Sequence, residues 1–206
     1  MAQNQKLFDS ICSGDRTSVE TIVNESLAGG TEPAELLNDS MIPAMREMGN
    51  RFSRNDAYVP DMLIAARAMQ TGLDIVEPLL VQSGHKPSAS VCIGTVKGDL
   101  HDIGKNLVAI MLKGAGYEVI DLGVNCDVGK FEEAVNKGAR AILCSALLTT
   151  TMPYMKTVVD HFKGNEDVKV LIGGAPVTGN YADEIGADGF GKDANEAVSA
   201  VETALG

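Results

Sequence analysis

Between Gly98 and Gly104 the chain places Asp99, His101 and Asp102, inside the run VKGDLHDIGKN from Val96 to Asn106. A carboxylate two residues before a histidine can accept a hydrogen bond from one ring nitrogen. That bond fixes the tautomer, raises the basicity of the other nitrogen and aims it outward. Such a histidine suits a metal ligand or a general base. The flanking glycines would let a bulky ligand approach the backbone closely. A loop histidine merely satisfied by a neighbouring acid accounts for the pair equally well, so its placement in the fold has to decide.

The run follows an apolar stretch, VCIGTV, and opens a rhythm that continues to the end of the chain. Short apolar runs alternate with helical ones: VCIGTV and IGKNLVAIMLKGAG, YEVIDLGV and KFEEAVNKG, RAILCSALL and MPYMKTVVDHFKG, VKVLIGG and NYADEIG, DGF and NEAVSAVETAL. Runs apolar along their whole length are buried on both faces, which requires a parallel sheet covered by helices. Five such units predict a doubly wound α/β fold of flavodoxin type with strand order 2-1-3-4-5. In that order the loops after strands 1 and 3 diverge at the carboxyl edge, where ligands bind. Three stretches should converge there: KGDLHDIG after strand 1, SALLTTT (Ser145 to Thr151) at the end of strand 3, and Gly173-Gly174 after strand 4. No G-x-G-x-x-G or G-x-x-x-x-G-K-[ST] occurs, which argues against dinucleotide and P-loop sites. A phosphoacceptor receiver domain would want an acid where Ser145 stands.

The chain up to about residue 82 has a helical rhythm instead. LFDSIC and VETIVNESL are separated by Ser13-Gly14-Asp15, which suits a turn and a cap. A third helix begins near Pro33 and carries Leu36, Leu37, Met41, Met45, Met48 and Phe52. The methionines are expected in the bundle core. Pro43 lies inside this helix and should kink it or force a local rearrangement. SRNDAYVP breaks the chain, and Pro60 can start a fourth helix through LIAARAMQTGLDIVEPLL. The expected organisation is a four-helix bundle over residues 1–84, a polar linker over 85–90 and the α/β domain over 91–206.

The 206 residues carry a formal net charge of −11, which makes nucleic acid and anionic lipid poor partners. No apolar run is long enough to span a membrane, and the polar N-terminus lacks a signal pattern, so a cytoplasmic protein is expected. The four cysteines form no C-x-x-C pair. Cys92 and Cys144 lie in apolar runs and read as reduced core residues, whereas Cys126 follows a strand, where exposure is allowed, and reads as structural or incidental. His85, His101 and His161 are too far apart in sequence to offer a structural zinc set.

Asp99-x-His101-x-x-Gly104, Ser145-x-Leu147 and Gly173-Gly174 together resemble the D-x-H-x-x-G, S-x-L and G-G motifs of cobalamin-binding domains that hold the cofactor base-off and histidine-on. The longer VKGDLHDIGKN is similar to that of corrinoid-dependent methyltransferases, including the cobalamin module of methionine synthase. RFSRNDAYVPDMLIAARAM resembles part of the helical cap that precedes the sheet domain in that family. The resemblance implies that His101 ligates cobalt from below, that Asp99 holds its other nitrogen, and that Thr151 extends the relay where methionine synthase has serine. Protonation of the Asp99 relay would then assist release of His101. Gly98, Gly104, Gly173 and Gly174 would make room for the displaced nucleotide tail. Ser145, Leu147 and Thr149 would contact it or the corrin edge, Asp102 and Ile103 would lie against the ring's lower side, and Ala194 would border the tail's exit. Phe52 and Val59 would cover the upper face, with Asn55 in the turn between them where relatives often have glycine.

By the same resemblance the chain is a methyl carrier. It would accept a methyl group on Co(I) from a substrate-specific methyltransferase and pass it from methyl-Co(III) to a second one, with tetrahydrofolate the expected acceptor and a reductive activator as a further partner. It has no room for a substrate barrel, so it would be non-catalytic alone. An O-demethylase component is the expected setting; methanol, methylamines and betaines feed similar carriers. A cobalamin-dependent sensor and the small subunit of an adenosylcobalamin mutase are the alternatives.

Overall fold

The computed structural model describes residues 3–82 and 87–206. His85 and Lys86, the first two residues of the expected linker, fall outside them. The chain divides into two compact units, Met1–Pro87 with Gly114–Gly116, and Ser88–Lys113 with Tyr117–Gly206.

The first unit is helical. Helix α1 (Gln5–Ser13) is capped by the Asn4 side chain, which accepts from the Leu7 N–H, and ends on Gly14 in the left-handed region. Asp15 caps α2 (Arg16–Ala28) through the Ser18 N–H. The expected third helix is divided into α3 (Pro33–Leu36), a wide π turn (Leu37–Met41) and α4 (Ile42–Ser53). Pro43 explains the division. In a regular helix its ring would crowd the carbonyl four residues back. Here the preceding turn widens, and the Ile42 N–H reaches back five residues to the Leu37 carbonyl. Helix α5 (Val59–Gln82) follows a turn in which Asn55 is left-handed, at φ 62°. Met41, Met45 and Met48 are buried with Leu7, Ile11, Val19, Val23 and Met62, so the methionine stripe is core.

The second unit is a five-stranded parallel sheet in the order β2-β1-β3-β4-β5. The strands are β1 (Ser90–Thr95), β2 (Glu118–Asp121), β3 (Ala141–Ser145), β4 (Lys169–Gly173) and β5 (Gly189–Gly191). They alternate with α6 (Ile103–Gly114), α7 (Val128–Asn136), α8 (Pro153–Phe162), α9 (Gly179–Ile185) and α10 (Ala194–Leu205). The register aligns Thr95 with Ser145, Ser145 with Gly173 and Gly173 with Gly191. Four strands therefore end level and form one carboxyl rim. Among the described residues no helix is long and apolar enough to cross a membrane.

Two sequence expectations shift. Cys126 is fully buried, because the chain past β2 keeps running beside β1 and pairs with it again at Val96 and Cys126. Burial raises the thiols of Cys92, Cys126 and Cys144, which makes them inert core groups. The run RAILCSALL stops being strand at Ser145, since the Leu147 and Leu148 N–H groups turn to a side chain instead of a neighbouring strand.

Gly174 shows how tightly the rim is built. Its φ is 130°, and a Cβ there would lie 1.9 Å from the Ala146 carbonyl oxygen. Gly174→Ala should therefore destabilise the protein by about 3 kcal/mol, read as a lower urea midpoint. An unchanged midpoint would show that the end of β3 moves aside freely.

Candidate functional site

The carboxylate of Asp99 has no solvent exposure. Burying an ionised carboxylate costs many kcal/mol unless donors surround it. They do. Oδ1 accepts from the His101 ring at 2.7 Å and from the His101 N–H at 3.1 Å. Oδ2 accepts from the N–H groups of Leu147 at 2.8 Å and Leu148 at 3.2 Å, and lies 2.8 Å from the Thr151 hydroxyl. Thr151 Oγ1 is also 2.9 Å from the Leu148 carbonyl. Its single proton serves one acceptor at a time, and the ionised carboxylate is the stronger. Burial alone would raise the Asp99 carboxyl, but the Leu147 N–H, the His101 ring and N–H and the Thr151 hydroxyl together hold it well below the usual carboxylate range.

The consequence falls on His101. Asp99 stays ionised, so the proton between them belongs to Nδ1 of the imidazole. Nε2 is left with a lone pair and no partner among the described residues, on a side chain that is half exposed. The main chain of His101 is fixed as well: its carbonyl accepts from the buried Thr95 hydroxyl at 2.8 Å. The ring is thus anchored through one nitrogen and presents the other. The three side chains of the expected relay are brought together, His101 and Thr151 each hydrogen-bonded to the Asp99 carboxylate.

The other sequence candidates are distributed around this pair. Gly98 is left-handed, at φ 87°, and a Cβ there would face Thr151 Cγ2 at 3.6 Å. Gly104, in the first turn of α6, has open space where a Cβ would point. Asp102 is exposed and accepts from the Asn106 side chain. Ile103 and Leu147 are exposed apolar side chains. Ser145 sits on the rim and Thr149 is exposed in the loop after it. Gly173 and Gly174 have reasons inside the fold: a Cβ would meet the Gly191 carbonyl oxygen at 2.9 Å in one and Ala146 in the other. Ala194 is buried at the start of α10, with no contact to the Asp99–His101 pair among the described residues. Phe52 and Val59 belong to the helical unit, on either side of the Asn55 turn.

Several residues at the site were not singled out by sequence. Leu100 and Leu148 are exposed apolar side chains in the same two loops as Ile103 and Leu147. Their place beside the D-x-H and S-x-L positions could have flagged them. Thr95 and Asn125 act through backbone groups, which no spacing pattern marks. Lys105 is buried and donates to both carboxylate oxygens of Asp121 at 2.6 Å, tying α6 to the end of β2.

A corrinoid fits these residues. Among the described residues no group of three or more His, Cys, Asp or Glu side chains could hold a metal. A lone oriented imidazole serves a metal that arrives with its other ligands, as in a tetrapyrrole-like ring. Leu100, Ile103, Leu147 and Leu148 supply exposed apolar surface for such a ring.

The depressed Asp99 carboxyl makes a stability prediction. A group lowered on folding stabilises fully above its unfolded pKa, about 4 for aspartate, and that contribution is lost as the pH falls further. Asp99→Asn would turn an amide NH2 toward N–H donors. It should cost about 2–4 kcal/mol at pH 7 and flatten the decline in stability below about pH 4. Urea unfolding at a series of pH values reads both effects.

Family models described as B12 binding domains match residues 89–199 and residues 3–77. The trimethylamine corrinoid protein of Methanosarcina barkeri is 38% identical over 206 residues, covering 97% of this chain and 95% of that protein. The crystal structure of a cobalamin-binding protein from Desulfitobacterium hafniense DCB-2 is similar at a TM-score of 0.81 and 27% identity, covering 98% of both chains. A chain in the crystal structure of the methanol:cobalamin methyltransferase complex MtaBC from Methanosarcina barkeri gives 0.84 at 26% identity, covering 97% of this chain and 78% of that one. With matches along nearly its whole length and a single imidazole oriented by a buried carboxylate, the chain belongs to the B12-binding corrinoid proteins of cobalamin-dependent methyltransferase systems, and its cofactor is a corrinoid.

Proposed function

We propose that the chain is a methyl carrier working between two methyltransferases in the cytoplasm, with His101 Nε2 as the lower ligand of its cobalt. The observation that carries this reading is the division of labour on the imidazole: Nδ1 is held at 2.7 Å by a buried carboxylate, and Nε2 is free. The bound corrinoid supplies the cobalt that takes and gives up the methyl group.

The chain's own residues supply orientation and control. Asp99, kept ionised, makes His101 a stronger donor through Nε2 and fixes the ring plane. Thr151 holds Oδ2 and completes the relay. Held at Oδ2 by the Leu147 and Leu148 N–H groups and Thr151, the buried carboxylate would keep its place whether or not Nε2 holds the metal. Ile103 and Leu147, with Leu100 and Leu148, lie under the ring, and Asp102 at its edge. Gly98 and Gly104 leave room for the nucleotide tail; Ser145, Thr149, Gly173, Gly174 and Ala194 border its path.

The donor is a small methylated compound delivered by its own methyltransferase. The name of the Methanosarcina trimethylamine protein favours a methylamine over the phenyl methyl ether of an O-demethylase. The acceptor is tetrahydrofolate or a comparable carrier on the second methyltransferase, and a reductive activator restores the cofactor after oxidation.

The first measurement is the absorption spectrum after reconstitution with hydroxocobalamin and desalting. Wild type should retain corrinoid with a histidine-on spectrum. His101→Ala should retain part of the corrinoid without that spectrum, and an identical spectrum would remove His101 as the ligand. Thr151→Ser should keep the wild-type spectrum, whereas Thr151→Val should lower the histidine-on to histidine-off ratio by about 2- to 10-fold through loss of one hydrogen bond.

A further inference from the structure

Besides the Asp99 relay and the Thr95 hydroxyl at the His101 carbonyl, the loop that carries His101 has a second hold on its main chain. Lys97, Gly98 and Leu100 are exposed, so water competes for the hydrogen bonds of their peptides. The second hold comes from the β2–α7 loop. Asn125 Oδ1 accepts from the Gly98 N–H at 2.8 Å, and the Asn125 N–H donates to the Asp99 carbonyl at 3.0 Å. One residue thus brackets the peptide that leads into Asp99. Asn125 does this from the left-handed region, at φ 52°. Asparagine tolerates that backbone, and glycine, which adopts it freely, would lack the accepting oxygen.

Asn125 is itself a fixed post. On one side the Gly123 carbonyl accepts from the Thr95 N–H at 3.0 Å, and on the other the Cys126 N–H donates to the Thr95 carbonyl at 2.9 Å. Cys126 is fully buried and pairs with Val96. Further back, Asp121 is gripped by buried Lys105 and accepts from the Gly123 N–H at 2.8 Å. The loop is therefore built against the end of β1 before Asn125 reaches across to Gly98 and Asp99.

We infer that Asn125 is a positioning residue for the cobalt ligand, fixing the main chain of Asp99 so that Oδ1 holds the His101 ring at the angle that lets Nε2 reach the metal. The inference rests on the reading of His101 as the lower ligand. The logic is geometric. The carboxylate of Asp99 is pinned at Oδ2 by the β3–α8 loop, and its main chain is pinned by Asn125. With both held, Oδ1 has one position, and the ring bonded to it has one orientation. Without Asn125 the Gly98–Asp99 peptide keeps only the bond from the Asp99 N–H to the Val96 carbonyl, 3.0 Å away in the same turn, and at Gly98 no side chain resists further motion. An ångström of slack in such a supporting group is enough to weaken a metal bond.

Three proteins reconstituted with hydroxocobalamin test it beside wild type: Asn125→Gly, Asn125→Asp and His101→Ala. Asn125→Gly keeps the left-handed backbone and the N–H to Asp99 while removing the side chain and with it the accepting Oδ1. It should retain corrinoid but lower the histidine-on to histidine-off absorption ratio by about 3- to 10-fold. Asn125→Asp keeps an accepting oxygen and should stay within about 2-fold of wild type, because its bond to the Gly98 N–H survives. Loss of the cofactor in Asn125→Gly at an unchanged melting temperature, restored by Asn125→Asp, would also support the role. A wild-type ratio in Asn125→Gly, or a lowered melting temperature with cofactor loss that Asn125→Asp does not restore, overturns it. His101→Ala separates the two levels. If its spectrum matches wild type, the ligand assignment fails and the inference falls with it. If its spectrum changes while that of Asn125→Gly does not, only the role of Asn125 fails.

Discussion

A negative charge buried without a cationic side chain against it is the constraint around which the sheet unit is arranged. Asp99 is fully buried, and its donors are peptide N–H groups, one hydroxyl and one imidazole. Peptide N–H groups can converge on a point only if the loops that carry them are fixed. The ends of β1 and β3 must therefore stay level, and the β3–α8 loop must turn immediately after Ser145. The row Thr95, Ser145, Gly173 and Gly191 provides that level. Gly174 lets the end of β4 approach Ala146 more closely than any side chain would allow. Deleting donors one at a time would leave an uncompensated charge, so this carboxylate and its loops form a single unit.

The same arrangement explains why a half-exposed histidine can be a well-defined ligand. Exposed side chains ordinarily sample several rotamers, and ordering one costs entropy. In His101 that cost is met within the protein: the ring is held at Nδ1, the N–H by Asp99 and the carbonyl by Thr95. The ring is organised before any ligand arrives. The ionised partner also leaves the imidazole richer in electron density at Nε2, which suits a metal able to hold or release that ligand.

The parts of this design that follow periodicity and spacing were legible in the chain. The alternation after Ser90 led to the doubly wound sheet and its strand order, and the order placed the Asp99 and Ser145 loops together. The D-x-H spacing alone gave the Asp99–His101 bond; the role of Thr151 came from family resemblance. What escaped were interactions of side chains with distant backbone. Nothing in the composition of ALLTTT says that Leu147 and Leu148 will give their N–H groups to Asp99. Thr95 looked like one more strand residue, and Asn125 like ordinary loop. Cys126 was expected just past the strand run YEVIDLGV, whereas β2 ends at Asp121 and the backbone beyond it pairs with β1 again at Val96. Pro43 signalled a disturbance, but only the structure shows that it is absorbed one turn earlier, as a widening rather than a kink.

The Gly173–Gly174 pair and Gly104 teach opposite lessons about reading a binding motif. Gly173 and Gly174 belong to a motif that cofactor binding is expected to require, yet each already has an intramolecular reason to lack a side chain. Gly104 has none: a Cβ there would point into open space, as room kept for a ligand should look. A motif of this kind is therefore a composite. One part builds the rim, another keeps clear the ground in front of it, and the two need not be the same residues. The Asp99–His101 pair stands between them, because its carboxylate is held by the loop that follows β3 and its imidazole is half exposed.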